Sequence, residues 1–321
     1  MAMPKVSSAS KFVLSVIFFY LAKEASCGTG KWTYPTHTRD ATSTWITEYH
    51  FCSGQSQSPI NIKPSDTVYD SNLTSLNFSH YSTLNGGEAT NNGHSIQYNV
   101  PDVASKPSVT HGPLEGVTYK LAQFHFHFGS HNLVGSEHTI DESAYPAEMH
   151  FVHYNSDKYS SVSRAANESD GLAVVGVFIT VGQENLEISK LKVNSLAYKG
   201  NSTSVAAINL NQLLPDSHDY FTYRGSLTTP PCYESVTWLV LKDTISMSSA
   251  QMATFRLAQV ADYNDPDIHA MENNYRAVQP LNRRIVNANF EANSGVVRVY
   301  SSMAFVLAAF SLAVFKATVC F

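Results

Sequence analysis

The chain has 321 residues, of which 43% are hydrophobic, 12% aromatic and 15% charged. This is an ordinary globular composition with enough apolar material for one large core. The formal net charge of −5 and the lack of any basic run in the sequence argue against a nucleic-acid partner, because binding phosphates requires clustered positive charge.

The first 27 residues have the layout of a secretory signal peptide. Lysines at positions 5 and 11 precede the apolar run 12–22, and the small residues 25–27 supply a cleavage signal. We therefore predict that residues 1–27 are removed and that the protein enters the secretory pathway, to become extracellular, either secreted or held at the cell surface.

The C-terminal end carries a second addressing pattern. Residues 303–315 are apolar, a run shorter than the roughly twenty residues that a helix needs to span a bilayer. Small residues at 293–295 lie a short polar spacer upstream, which is the layout of a GPI-anchor signal. We predict that residues 291–321 are a spacer and tail exchanged for a lipid anchor that holds the protein on the membrane. The alternatives are a short transmembrane helix interrupted by Lys316, or a tail retained in a secreted protein.

The cysteines and sequons agree with export. Removal of the two end segments would leave Cys52 and Cys232, which in an oxidising compartment most simply form one disulfide. Two buried thiols are the alternative. The sequence also contains four N-glycosylation sequons, at Asn72, Asn77, Asn167 and Asn201.

Short β-rich runs dominate between residues 28 and 290, and no linker, charge block or repeat divides this part of the sequence. The run 171–179 lacks polar alternation, which predicts a central strand buried on both faces. Helical periodicity is confined to 248–258 and, more weakly, 208–214. The sequence predicts a single domain, mainly β (α+β), with a large, mostly antiparallel twisted sheet surrounded by short helices and loops. The clearest predicted strands are 95–100, 118–128, 148–154, 171–181 and 235–241.

The aromatic stretch 123–129 has two histidines at alternate positions. Successive side chains of a strand point to opposite faces, so His125 and His127 share one face while the phenylalanines pack on the other. Two imidazoles at this spacing can reach one metal ion. A half-exposed strand with two surface histidines is the alternative.

The stretch 147–154 supplies a third imidazole. Its alternation places Glu148, His150 and Val152 on one face. If the two strands are neighbours, His150 completes a set of three histidines. Three protein ligands with one open position are typical of a catalytic zinc site, whereas structural sites close all four positions, commonly with cysteines. The cysteines that remain between residues 28 and 290 are too few for a closed site of that kind.

The stretch 225–231 contains a rigid turn, because its two prolines fix φ and lack an N–H group. Such a turn can hold Thr228 at a defined angle to a metal-bound oxygen. A hydroxyl has one donor and two acceptor sites, so Thr228 donating to a carboxylate such as Glu137 would present a lone pair to the metal-bound group. On its own, the turn is more typical of a structural element.

Together these motifs resemble the α-class carbonic anhydrases over roughly residues 32–286. The resemblance implies a catalytic domain at 28–290 that hydrates CO₂ reversibly to bicarbonate and a proton. The positions of Cys52 and Cys232 resemble the disulfide of the family's secreted and membrane-anchored members. The matching stretches are 57–62, 92–94, 123–129, 135–139, 147–155, 225–231 and 274–282.

The resemblance also implies a role for each matching residue. Zn²⁺ is expected to bind His125, His127 and His150, and zinc-bound hydroxide is expected to attack CO₂. Thr228 and Glu137 are expected to orient that hydroxide. The residues expected to hold the ligand histidines are Gln123, Glu148 and Asn274. The residues expected to contact the substrate are Val152, Val174, Leu227, Thr228, Thr229 and Trp238.

His94 matches the proton-shuttle histidine of the family, since an unperturbed pKa of about 6.5 suits proton exchange near neutral pH. The expected partners are CO₂, bicarbonate and sulfonamide-type inhibitors. The rival interpretation is a catalytically inactive, carbonic-anhydrase-like extracellular binding module. Such relatives typically lose one or more ligand histidines, and this sequence retains all three.

Overall fold

The computed structural model describes residues 32–34, 42–266 and 268–291. The predicted signal peptide, 1–27, and all but the first residue of the predicted tail, 291–321, lie outside these ranges. Among the residues described, no helix combines the length and the apolar character that crossing a membrane requires.

The described chain is built mainly from short strands. The strands are β1 (Asn61–Ile62), β2 (Val68–Tyr69), β3 (Asn77–Ser79), β4 (Leu84–Asn85), β5 (Glu88–Asn91), β6 (Ile96–Asn99), β7 (Ser108–Thr110), β8 (Tyr119–Phe128), β9 (Thr139–Ile140), β10 (Ala147–Asn155), β11 (Leu172–Val181), β12 (Ser202–Ser204), β13 (Ala207–Ile208), β14 (Tyr220–Gly225), β15 (Val236–Leu241), β16 (Ile245–Met247) and β17 (Asn287–Ala288). The α-helices are α1 (Thr42–Glu48), α2 (Val162–Ala165), α3 (Leu186–Ser189) and α4 (Ser249–Arg256). Single 3₁₀ turns lie at His50–Ser53, Pro64–Asp66, Gly112–Leu114, Val193–Ser195 and Leu210–Leu213.

Thirteen of these strands form one large sheet. Its main order is β12-β5-β6-β8-β10-β11-β15-β14-β17-β2, with β16 beside the end of β11, and with β7 beside the start of β8 and β3 beyond it. Most neighbours are antiparallel, but β11 runs parallel to β15 and β16, and β17 runs parallel to β2. The predicted single mainly-β domain with a large, mostly antiparallel sheet is confirmed.

The predicted strands are all present, as β6, β8, β10, β11 and β15, with ends within one residue of the prediction. The first eight residues of β11 are buried, as its unbroken apolar run predicts. The predicted helix 248–258 is α4, which begins after Ser248 because that side chain and Gln251 form a reciprocal capping box. The weaker prediction at 208–214 is a 3₁₀ turn capped by the Asn209 side chain.

Hydrophobic clusters cover both faces of the sheet. On one face lie Phe124, Phe126 and Phe128, all fully buried. On the other face, Val152 and Trp238 belong to a second buried cluster. The strands that carry the histidines are therefore backed by a densely packed aromatic layer, which restricts how far their side chains can shift.

A third, smaller cluster contains Trp32, Trp45 and the disulfide between Cys52 and Cys232. The predicted pairing of these cysteines is confirmed. The bond joins positions separated by 180 residues, and it ties the segment before β1 to the end of the turn at 225–231.

Candidate metal centre

The pairing of β8 with β10 brings three histidines together. The two strands are antiparallel neighbours, and His150 lies directly opposite His125, with Glu148 opposite His127. One ring nitrogen from each of the three histidines lies within 4.8 Å of the others. The two predicted strands are therefore neighbours, and the three histidines lie on the same face of the sheet, as the alternation of side chains predicts.

Two of the rings are held by oxygen acceptors. His125 Nδ1 donates to Gln123 Oε1 at 2.9 Å, and His127 Nδ1 donates to the backbone oxygen of Asn274 at 2.7 Å. A neutral imidazole with its hydrogen on Nδ1 carries a lone pair on Nε2. The two Nε2 atoms are 3.1 Å apart. Because two lone pairs at this separation repel each other, a cation bound between them would relieve the contact.

The third ring is held by a buried carboxylate. His150 Nε2 donates to Glu148 Oε1 at 2.8 Å, which leaves Nδ1 as the nitrogen with a lone pair. Glu148 also accepts hydrogen bonds from the ring of His138 and from the backbone N–H groups of Glu137 and His138. Four donors match the roughly four lone-pair sites of a carboxylate. Glu148 is therefore saturated, and its position is fixed.

The charges of these groups favour metal binding. Burial lowers the pKa of both His125 and His127, and the proximity of His150 lowers it further. Burial alone would favour the neutral acid of Glu148, but His138 and His150 hold its pKa below the usual range. Neutral imidazoles and an anionic carboxylate behind them are the protonation states that a zinc site requires.

A second buried carboxylate lies beside the three rings. Glu137 Oε1 accepts the backbone N–H of Arg276 at 2.9 Å and lies 3.5 Å from His127 Nδ1. Its Oε2 atom lies 3.9 Å from His150 Nδ1 and accepts no hydrogen bond from the described residues. An anionic oxygen in that position is suited to accept a hydrogen bond from a group bound at the centre.

Residues 40–290 match the model of the eukaryotic-type carbonic anhydrases. This chain belongs to the eukaryotic-type carbonic anhydrase family. Carbonic anhydrase 7 of Homo sapiens is 46% identical to it over 255 residues, which cover 79% of this chain and 96% of the relative. Carbonic anhydrase 7 of Mus musculus is 43% identical over the same shares of each chain. Membership identifies the chain as an enzyme of the carbonic anhydrase class.

In this family member, four buried apolar side chains form one cluster beside His150; we call Val152, Val174, Leu227 and Trp238 the apolar wall. Three of its residues are in register across the sheet, since Val152 lies opposite Val174 and Val174 lies opposite Trp238. The Trp238 ring is 4.8 Å from the ring of His150, centroid to centroid. All four side chains are buried in one cluster.

The threonines of the 225–231 turn directly follow Leu227 in the sequence, and among the described residues no hydrogen bond joins Thr228 to the predicted partner Glu137. Thr228 is buried, whereas Thr229 is half-buried. The backbone oxygen of Thr229 accepts the N–H of Cys232 at 2.9 Å, so the disulfide and the two prolines both restrain the turn that carries these hydroxyls.

His94 lies at one edge of the site, beside a cavity of about 190 Å³ that Tyr34 also lines. Its ring stacks on Trp32 with centroids 3.9 Å apart and planes 13° apart. Burial, and then the positive charge of Lys199, lower the pKa of His94 to about 4. This differs from the unperturbed value that the sequence suggests, because neither the stacking on Trp32 nor the nearby cation is visible in the sequence.

The backbone of His94 is linked to the metal centre. Asn274 Nδ2 donates to the backbone oxygen of His94 at 2.9 Å, while the backbone oxygen of Asn274 accepts from His127. Asn274 therefore forms hydrogen bonds to both the predicted shuttle residue, His94, and the predicted ligand His127.

Sequence reasoning gave no role to Arg276, although it lies in one of the stretches that carry the family resemblance. Its buried guanidinium donates to Gln57 Oε1 and to the backbone oxygens of Ser58 and Cys52, at 2.9 to 3.1 Å. Its backbone N–H holds Glu137. A charged residue inside an otherwise structural motif was the signal that could have indicated this role.

Gly176 was also missed. It lies opposite His150 in the sheet, and a Cβ atom there would come 3.0 Å from Glu148 Oε1. A side chain at this position would therefore crowd the buried carboxylate, and a glycine inside an apolar strand was the available signal.

The four sequons differ in accessibility. Asn72, Asn77 and Asn167 are exposed. Asn201 is half-buried, and its Oδ1 atom accepts the backbone N–H of Tyr198 at 3.0 Å.

Proposed function

We propose that this protein catalyses the reversible hydration of CO₂ to bicarbonate and a proton at a zinc ion held by His125, His127 and His150. The convergence of three imidazole nitrogens within 4.8 Å carries the proposal. The second nitrogen of each ring is held by an oxygen acceptor, which is typical of zinc-ligating histidines. When bound, zinc supplies a hydroxide nucleophile near neutral pH, and carbonic anhydrases are the standard example of this effect.

The apolar wall positions the substrate. CO₂ has no net charge or dipole, so a surface of aliphatic and aromatic side chains can hold it where a polar lining would retain water. The fixed register of Val152, Val174 and Trp238 places this surface next to the ligand His150.

Thr228 and Glu137 are assigned the orientation of the nucleophile. The Thr228 hydroxyl has a single proton, which we assign to Glu137, because the buried Oε2 atom of Glu137 accepts no hydrogen bond from the described residues. The hydroxyl oxygen then presents a lone pair to the reacting group. Thr229 is assigned to contact with bicarbonate.

His94 is assigned the transfer of the released proton to solvent. In its position on Trp32, with a pKa of about 4, the ring is neutral at neutral pH and has a lone pair to accept the proton, but it takes up that proton less readily than an unperturbed imidazole does.

The test is a measurement of zinc content and of CO₂ hydration by stopped flow on the purified protein. We expect about one zinc per chain, rapid turnover and inhibition by a sulfonamide. His94→Ala should lower kcat, with recovery in added imidazole, while kcat/KM changes little. A folded wild-type protein that holds no zinc or lacks activity would contradict the proposal and support a binding module.

The location of the enzyme is a second proposal: residues 28–290 form a mature, extracellular catalytic domain on a lipid anchor. The disulfide and the exposed sequons at Asn72, Asn77 and Asn167 support an oxidising compartment. Treatment of live expressing cells with a phosphatidylinositol-specific phospholipase should release active enzyme. Surface enzyme that is not released would refute the anchor, and enzyme retained inside the cell would refute export.

A further inference from the structure

A buried chain of hydrogen bonds runs away from the carboxylate that holds His150. His138 Nδ1 donates to Glu148 Oε1 at 2.7 Å, and His138 Nε2 lies 2.6 Å from the hydroxyl of Tyr223. That hydroxyl lies 2.9 Å from Ser58 Oγ. All of these side chains are buried, so each polar atom depends on its neighbour in the chain for a hydrogen bond.

The donors in this chain can be assigned. The Tyr223 hydroxyl donates to Ser58 Oγ, which lies 2.9 Å away and also accepts the N–H of Ser226. A phenol has a single proton, so the phenolic oxygen accepts from His138 Nε2. Tyr223 therefore joins the two halves of the hydrogen-bond chain.

The far end of the chain reaches the turn that carries Thr228. The N–H of Ser58 donates to Ser226 Oγ at 2.9 Å, and the N–H of Ser226 donates to Ser58 Oγ at 3.0 Å. A Cβ atom at Gly225 would come 2.2 Å from Ser58 Oγ. Because the two segments are bonded reciprocally and in close contact, Ser58 cannot shift without moving the turn.

We propose that the Tyr223 hydroxyl positions two parts of the site at once. Through His138 and Glu148 it fixes the ring of His150, and through Ser58 it fixes the turn that carries Thr228. This inference rests on the proposed zinc function. Tyr223 touches neither the metal nor the substrate, so it is a positioning residue and not a catalytic one.

A second buried pair of a tyrosine and a histidine, on the opposite face of β10, provides a matched control for Tyr223 and His138. The Tyr81 hydroxyl lies 2.6 Å from His153 Nε2, and both side chains are buried. His153 Nδ1 donates to the backbone oxygen of Ala173 at 3.2 Å. This pair joins the same two types of side chain as the Tyr223 pair, but it leads to a backbone group and not to a carboxylate that holds a ligand.

The experiment compares wild type, Tyr223→Phe and Tyr81→Phe as zinc-loaded enzymes. The measurements are the rate of zinc loss to an excess of chelator, kcat/KM and the melting temperature. We expect Tyr223→Phe to lose zinc about tenfold faster than wild type, in line with the effect of removing outer partners of metal ligands, and to have a lower kcat/KM. Tyr81→Phe should lose comparable thermal stability while retaining zinc as wild type does. Equal zinc loss in the two variants would overturn the inference.

Ser58→Ala tests the other half of the chain. It removes the Tyr223 bond to Ser58 and one of the two bonds between Ser58 and Ser226, but it leaves the Tyr223 bond to His138, so kcat/KM should fall while zinc is lost at the wild-type rate. If Tyr223→Phe does not fold, Ser58→Ala still tests the inference, because an unchanged kcat/KM in Ser58→Ala would refute the link to the turn. A wild type that binds no zinc would refute the proposed function instead.

Discussion

Acid should destabilise the fold through His153, a histidine that takes no part in the proposed chemistry. The ring is buried between the Tyr81 hydroxyl and the backbone oxygen of Ala173, and burial lowers its pKa from 6.5 to about 4. The unfolded chain therefore takes up a proton at a higher pH than the folded chain does. The stability from this group is fully present above about pH 6.5 and is lost as the pH falls towards about 4.

The size of the effect follows from that shift. With pKa values of about 6.5 unfolded and about 4 folded, lowering the pH from about 7 to about 5 should reduce the free energy of unfolding by about 2 kcal/mol. Urea unfolding across this pH range should show the loss in wild type. The loss should be smaller by about 2 kcal/mol in His153→Gln, whose neutral amide can still bond to both neighbours, because the other histidines with lowered pKa values contribute equally to both proteins.

The comparison should use chelator-treated protein, so that release of metal in acid does not contribute. His131→Gln, at an exposed histidine, is the control and should follow the wild type. Parallel stability curves for wild type and His153→Gln would refute the assignment of this acid sensitivity to His153.

Three further changes test other contacts. Cys52→Ser opens a bond between positions separated by 180 residues and should lower the free energy of unfolding by up to about 5 kcal/mol; a urea midpoint equal to that of wild type would contradict this. Gly225→Ala places a Cβ atom 2.2 Å from Ser58 Oγ and should cost about 1–3 kcal/mol by overpacking, measured by thermal unfolding against wild type. Lys199→Gln removes a positive charge that lowers the pKa of His94, so that pKa should rise in an NMR titration, and an unchanged value would show that burial acts alone.

The long strands could be predicted from sequence because their signal extends over many residues: alternation in β8 and β10, and an unbroken apolar run in β11. The two-residue strands β1 and β9 could not, since so short a segment has no period. Nor did the sequence specify which strands are neighbours. The convergence of His125 with His150 was conditional on that pairing, and the sheet order supplies it.

The parts of the site nearest the metal were the most predictable. His125 and His127 follow from their spacing on one strand, and the family resemblance adds the residues that match its motifs. The link between Tyr223 and Ser58 joins positions 165 residues apart, and nothing in either local sequence indicates it. The local sequence also does not indicate the lowered pKa of His94, because the fold brings the Trp32 ring and the positive charge of Lys199 close to it.

The intrinsic fluorescence of the tryptophans can report on two separate regions of the protein. The sequence has three of them: Trp32 and Trp45 pack edge to face, with centroids 5.2 Å apart, in the cluster that contains the disulfide. Trp238 instead lies against His150. Emission from the first pair reports on the disulfide end of the molecule, and emission from Trp238 reports on the metal centre. Replacing one set by phenylalanine separates the two signals, so that opening of either region can be timed without an added dye.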